Sequence, residues 1–177
     1  MEDPKSSVKI AYKNDIEYTQ KNALLMSALG SMLQLRYTET LREQEGGVYS
    51  PSAWGSLFKE PRSIGYVSVS FDCNPDLADK LVKIVHAEME AMKKGNIDVE
   101  DLEKTKTNML KDRADSKNFN AYEMTAMKNL ILEGYNMNAP ENFEAIVKSM
   151  TKKDIQNIAK QLLKNYKSYE IVFRPAK

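Results

Sequence analysis

The sequence predicts an α+β fold, a largely antiparallel sheet packed against several helices. Three observations carry this. Apolar residues alternate at 7–13 and again at 64–73, a third alternating run stands at 168–173, and between them long stretches repeat their apolar residues at helical intervals. Early strands and a late strand bracketing helices argue against a doubly wound parallel sheet. Gly46, Gly47 and Gly55 form neither a G-x-G-x-x-G fingerprint nor a Walker A loop, which removes the usual nucleotide-binding reading. A chain of 177 residues fits one domain spanning 1–177. Such a domain buries about 70% of its extended-chain surface, enough for a core without disulfide staples.

In chain order, SVKIAYK (7–13) places Val8, Ile10 and Tyr12 on one face of a strand. A helix follows over 19–44, with Ala23, Met26, Leu29, Met32, Leu33, Leu35 and Leu41 at helical spacing and Gly46-Gly47 as its stop. Gly30 falls inside it, where glycine costs about 1 kcal/mol relative to alanine and marks a close approach or a bend. Residues 48–58, with Tyr49, Trp54 and Phe58, have strand character broken by Pro51 and Gly55, as in an edge strand. The cleaner run IGYVSVSFDC (64–73) is its expected antiparallel neighbour across the KEPRS connection. Asn74-Pro75-Asp76 opens a helix to 94 striped by Leu77, Leu81, Ile84, Val85, Ala87 and Met92, with Gly95 beyond it. Asp98 starts another, carrying Leu102, Thr105, Met109 and Leu110 on one face. Shorter helices are expected over 122–132, 141–150 and 153–163, the last opened by a capping box of Thr151 and Asp154, before SYEIVF closes as a strand.

Lys plus Arg number 26 and Asp plus Glu 25, a net charge of +1 that gives no global reason to bind nucleic acid or an anionic membrane. Lys152, Lys153 and Lys160 read as a solvated helix surface with no interleaved aromatics. The start, MEDPKSSVKI, is charged where a signal peptide is apolar, and no run approaches the ~20 apolar residues of a membrane span. The expectation is a soluble chain without a transmembrane segment. Its compartment stays open between the cytoplasm and, given an upstream signal, the periplasm. Cys73 is the single cysteine and makes no internal disulfide.

A catalytic zinc needs three protein ligands, and the chain has one histidine. His86 stands in HAEME, where only Glu90, at i+4, shares its helical face; an ordinary helical histidine is expected, not a metal site. Cys73 has no base at a recognisable spacing and reads as packing. Met89 with Met92, and Met124 with Met127, fit core or interdomain packing, and an exposed stripe would point to docking. The stronger signal is TETLREQEGGVYSPSAWG (38–55), where a helix end delivers Arg42 and the glycines turn the chain into a strand bearing Tyr49. Arginine offers a forked permanent cation and tyrosine one directed hydroxyl. The plainer reading pairs Arg42 with a nearby glutamate and packs Tyr49 into the sheet.

This segment, together with FDCNPDLADKL and the late TKKDIQNIAKQLL before a strand, resembles the last, non-catalytic domain of a pitrilysin or insulinase-like zinc metallopeptidase. The resemblance runs from about Lys5 to Pro175. It implies that Arg42 and Tyr49 are the substrate-binding residues, holding the backbone of a peptide or unfolded polypeptide opposite the zinc. It also implies a zinc-bearing catalytic domain as partner, in cis or as a subunit. The family's His-x-x-Glu-His motif is missing, so no zinc is expected in this chain, no catalytic residue set is complete in it, and no activity is expected from it alone. Two other readings remain: a catalytically inactive scaffold or assembly subunit, and a stand-alone module for extended peptides.

Overall fold

The computed structural model describes residues 4–46, 48, 50–165 and 167–175. Four strands, β1 (Ser6–Asp15), β2 (Ser52–Phe58), β3 (Ile64–Cys73) and β4 (Lys167–Phe173), form one antiparallel sheet in the order β2-β3-β1-β4. The alternation that predicts the strands also sets their register. Ile10 lies opposite Val69 and Tyr12 opposite Val67, so one face collects Val8, Ile10, Tyr12, Val67, Val69 and Phe71, all buried. The opposite face leaves Trp54, Phe58, Tyr169, Ile171 and Phe173 exposed. As the sequence predicts, β2 is an edge strand.

Among the described residues six α-helices complete the fold: α1 (Gln20–Tyr37), α2 (Ala78–Lys94), α3 (Val99–Ser116), α4 (Asn120–Glu133), α5 (Glu144–Ser149) and α6 (Lys152–Leu162). The buried residues of α1, α2, α3, α5 and α6 join those of the sheet's inner face in one continuous apolar cluster, which the buried Tyr122 and Ala126 of α4 do not enter. The caps follow the local chemistry. Thr19 Oγ1 accepts from the Asn22 amide at the start of α1, Asp98 accepts from two amides of α3, and Thr151 and Asp154 form the reciprocal capping box of α6. Gly95 ends α2 at φ +91°, a left-handed conformation that favours glycine.

Gly30 marks a close approach. A methyl group placed on it would lie 2.0 Å from the Gly55 nitrogen, and one on Gly55 would lie 2.2 Å from the Met26 carbonyl oxygen. Two residues without side chains let α1 settle directly on the backbone of β2. One turn further along, the Gln34 amide donates to the Pro51 carbonyl at 2.9 Å and accepts from the Ala53 N–H at 2.6 Å. Those bonds engage the β2 edge much as a neighbouring strand would, and they lock helix to strand next to the candidate site.

Three boundaries differ from expectation, one of them in the helix expected over 141–150, which is α-helical only over Glu144–Ser149 after a 3-10 turn at Pro140–Asn142. The helix expected over 19–44 is α-helical only to Tyr37 and continues as a π-helical turn, Thr38–Gln44. The strand expected from Val48 begins at Ser52, and Val48 makes only an isolated bridge to Cys73. Buried Pro51, which has no N–H to give a ladder, stands just before the strand. Ala87, expected within the apolar stripe of α2, is exposed.

Candidate functional site

The chain leaves α1 through the π-helical turn before it reaches the sheet. Thr38 and Thr40 donate their hydroxyls to the carbonyls of Gln34 and Arg36, each four residues back and each at 2.8 Å. Such bonds compete with amide donors for the same carbonyls and loosen α-helical pairing. Leu41 remains buried in the core and fixes the turn's inner side, while Arg42 is exposed on its outer side. The Arg42 carbonyl accepts the amides of Glu45 and Gly46, and Gly46 stands at φ +63°, which lets the chain reverse towards the sheet. The Glu45 carboxylate pairs with Lys80 of α2, so the turn is held at its far end as well.

Arg42 therefore sits where the sequence places it, on an exposed turn between the long helix and the edge strand. Tyr49 lies outside the described residues. Its described neighbours bracket the segment: Val48 is buried and bridges Cys73, and the Pro51 carbonyl is held by Gln34. Beside the turn a cavity of about 260 Å³ is lined by Glu39, Thr40, Gln44 and the ion pair of Arg36 with Glu88 at 2.8 Å. These groups supply hydrogen bonds and charge but no activated nucleophile.

His86 has a role that sequence reasoning does not reach. Its Nδ1 and the Tyr12 hydroxyl are 2.6 Å apart, its Nε2 lies 3.1 Å from a Glu170 carboxylate oxygen, and the Tyr12 and His86 rings meet edge to face. The trio ties β1, α2 and β4 together. Its members are 74 and 84 positions apart in sequence, so no local motif announces them. Neither histidine nitrogen is turned towards a cluster of ligands. Among the described residues no group of three His, Cys, Asp or Glu side chains is arranged to hold a metal ion. Cys73 is buried at the end of β3, where burial first and the Asp72 carboxylate second push its thiol pKa up, away from nucleophilic reactivity. Met89 and Met92 are buried as core residues, whereas Met124 and Met127 are exposed. No helix among the described residues is long and apolar enough to cross a membrane.

No curated protein sequence matches this chain. Solved structures share its fold. A conserved protein from Enterococcus faecalis V583 superposes with a TM-score of 0.81 at 17% identity, over 97% of this chain and 40% of its own. The periplasmic protease PqqL from Escherichia coli gives 0.79 at 20% identity, over 99% of this chain and 20% of its own. A peptidase M16 inactive domain from Pseudomonas fluorescens gives 0.75 at 14% identity, over 100% of this chain and 42% of its own. The chain thus spans less than half the length of each. The family model described as the peptidase M16 inactive domain matches residues 1–109, which contain the whole of the segment that includes Arg42 and Tyr49. The resemblance read from the sequence thus holds for the family, and this chain belongs to the peptidase M16 inactive-domain family.

Proposed function

We propose that this chain is the substrate-contacting, non-catalytic domain of a zinc-dependent endopeptidase, and that Arg42 and Tyr49 hold a peptide backbone opposite a zinc carried by another domain. The observation that carries this reading is the exposure of Arg42 on a π-helical turn between α1 and the edge strand β2. Wide turns of this kind concentrate at functional sites. A guanidinium there offers paired N–H donors to a peptide carbonyl, and a tyrosine hydroxyl offers one more. The role is orientation and stabilisation of charge that develops on the scissile carbonyl, while the zinc and the general base would be supplied by the partner domain. Polypeptide substrate, the zinc-bearing partner and a single domain over 1–177 are all parts of this proposal.

The test combines this chain with its zinc-bearing portion and compares Arg42→Ala and Tyr49→Phe with the unaltered protein. Loss of one positioned donor to a developing oxyanion typically costs about 10²–10³ in rate. Arg42→Ala is expected to lower kcat/KM by about 10² and Tyr49→Phe by about tenfold, with assembly unchanged. Full activity in both variants would refute the site and favour a scaffold role.

A further inference from the structure

Helix α4 turns its apolar bulk outwards. Its inward stripe is short: Tyr122 and Ala126 are buried, with the Arg113 guanidinium 4.7 Å from the Tyr122 ring centre and the Tyr122 hydroxyl donating to Asn138. Away from the core, Met124, Met127 and Ile131 are 70%, 59% and 73% exposed, at the i, i+3, i+7 spacing of one helical face. Phe119, Leu130 and Leu132 are exposed beside them, and Glu123 and Lys128 border the stripe. Leu130 and Leu132 lie on opposite flanks of the helix, and the three side chains that share the outward face, Met124, Met127 and Ile131, present on the order of 400 Å² of apolar surface, within the ~300–600 Å² of the largest and often functional patch on a typical monomer.

We infer that this face of α4 is covered in the assembled protein by the zinc-bearing domain, through a partner surface that is apolar and largely uncharged. The inference rests on the proposed reading of this chain as one domain of a larger peptidase. Two further observations favour that occupant over a peptide. The protease PqqL from Escherichia coli, which shares the fold, carries about five times as much chain, enough for a second body to cover a patch of this size. The patch also lies away from Arg42. A cavity lined by Gln20 and Ala23 from the start of α1 and by Asn129 from α4 places α4 near the beginning of α1, whereas Arg42 follows its end. An 18-residue helix spans roughly 27 Å, so a domain seated on α4 leaves the Arg42 turn open to substrate. Methionine side chains suit such a seat because they adapt to the surface that meets them.

Methionine oxidation tests this directly. Short peroxide pulses followed by mass spectrometry are applied to the native assembly and to the 177-residue chain alone at two concentrations. In the chain alone, Met124 and Met127 are expected to oxidise about tenfold or more faster than buried Met89 and Met92. In the assembly they are expected to slow to the level of those two. Equal rates in both preparations would overturn the inference, and so would protection in the chain alone that grows with concentration, since a second copy would then be the occupant. Ile131→Asp, at an exposed position, is expected to restore fast oxidation of Met124 and Met127 in the assembly while leaving the urea midpoint of the isolated chain unchanged. Continued protection in that variant would also overturn it. Arg42→Ala is expected to leave the protection intact while cleavage falls, so failure of the docking face and failure of the substrate site read out separately.

Discussion

Replacing Gly30 by alanine isolates the contact on which the position of α1 depends. In an ordinary helix interior the change stabilises by about 1 kcal/mol. Here the added methyl would stand 2.0 Å from the Gly55 nitrogen and 2.6 Å from the Trp54 carbonyl carbon. Both neighbours are backbone, so no side chain can swing aside, and α1 must retreat from β2 by roughly 1 Å or more to reach normal contact. Overpacking of this kind costs about 1–3 kcal/mol, with the upper end expected for backbone against backbone. The retreat also stretches the two hydrogen bonds of Gln34 to the β2 edge, each worth about 1 kcal/mol. Set against the helix propensity gained, the net expectation is a loss of about 3 kcal/mol, a large part of a typical domain's stability. Urea unfolding followed by circular dichroism should show the midpoint falling by about 1.5 M for a slope near 2 kcal/mol/M. Ser27→Ala, at an exposed position of the same helix, serves as the control and should change stability by a few tenths of a kcal/mol at most. A Gly30→Ala protein as stable as the parent, or more so, would refute the close-approach argument.

Two further expectations concern the chain ends of elements rather than their middles. Thr151→Ala removes the cap of α6 and should cost about 1 kcal/mol in the same urea assay. For Asp154, partial burial works to raise the carboxyl pKa, but hydrogen bonds from Lys21 and Thr151 outweigh it and hold it below the ordinary value of 3.8. The unfolded chain therefore binds the proton first, and the stabilisation is full above 3.8 and lost as pH falls through the lower folded value. The stability gap between the parent and Asp154→Asn should accordingly close below about pH 4, and a gap that widens on acidification would reverse the sign of the argument. The Cys73 thiol, buried with its pKa raised, should react with iodoacetamide at neutral pH about tenfold or more slower in the folded chain than in the unfolded one. Equal rates would show that the end of β3 is open to solvent.

Strands and caps were the most legible features because their signals are local. Val8, Ile10 and Tyr12 alternate without interruption, and the register that buries them follows from that alternation alone. Thr151 and Asp154 state their cap within four residues. The π-helical turn was not legible, because over a single turn the apolar spacing around Leu41 does not separate a helix of 3.6 residues per turn from a wider one. Gly30 announced an anomaly, but its choice between a bend and a contact waited on Gly55, which lies on a different element. The methionines show a further limit. Met89 with Met92 and Met124 with Met127 have the same spacing, yet one pair faces the core and the other faces outwards, a difference set by what each helix packs against. The Tyr12, His86 and Glu170 trio exists only once three elements meet.

Under the proposed reading, the chain contributes to a reaction whose metal another domain holds, and its residues divide the labour accordingly. Its single histidine, the first residue to consider as a zinc ligand, is engaged between Tyr12 and Glu170 in joining β1, α2 and β4. What the fold offers outwards is a guanidinium on a turn pinned on three sides, by buried Leu41, by Glu45 on Lys80, and through α1 by the contact of Gly30 with Gly55. A group that acts by position gains from such pinning, because misplacement by about 1 Å can cost about 10² in rate even when no reacting atom is touched. Gly30 lies twelve residues before Arg42, roughly 18 Å along a helix, so its substitution tests whether the frame and the site are mechanically one. If they are, a Gly30→Ala protein that remains folded should lose cleavage without losing the protection of Met124 and Met127. The frame would then govern Arg42 independently of docking, as expected when the two surfaces lie towards opposite ends of α1.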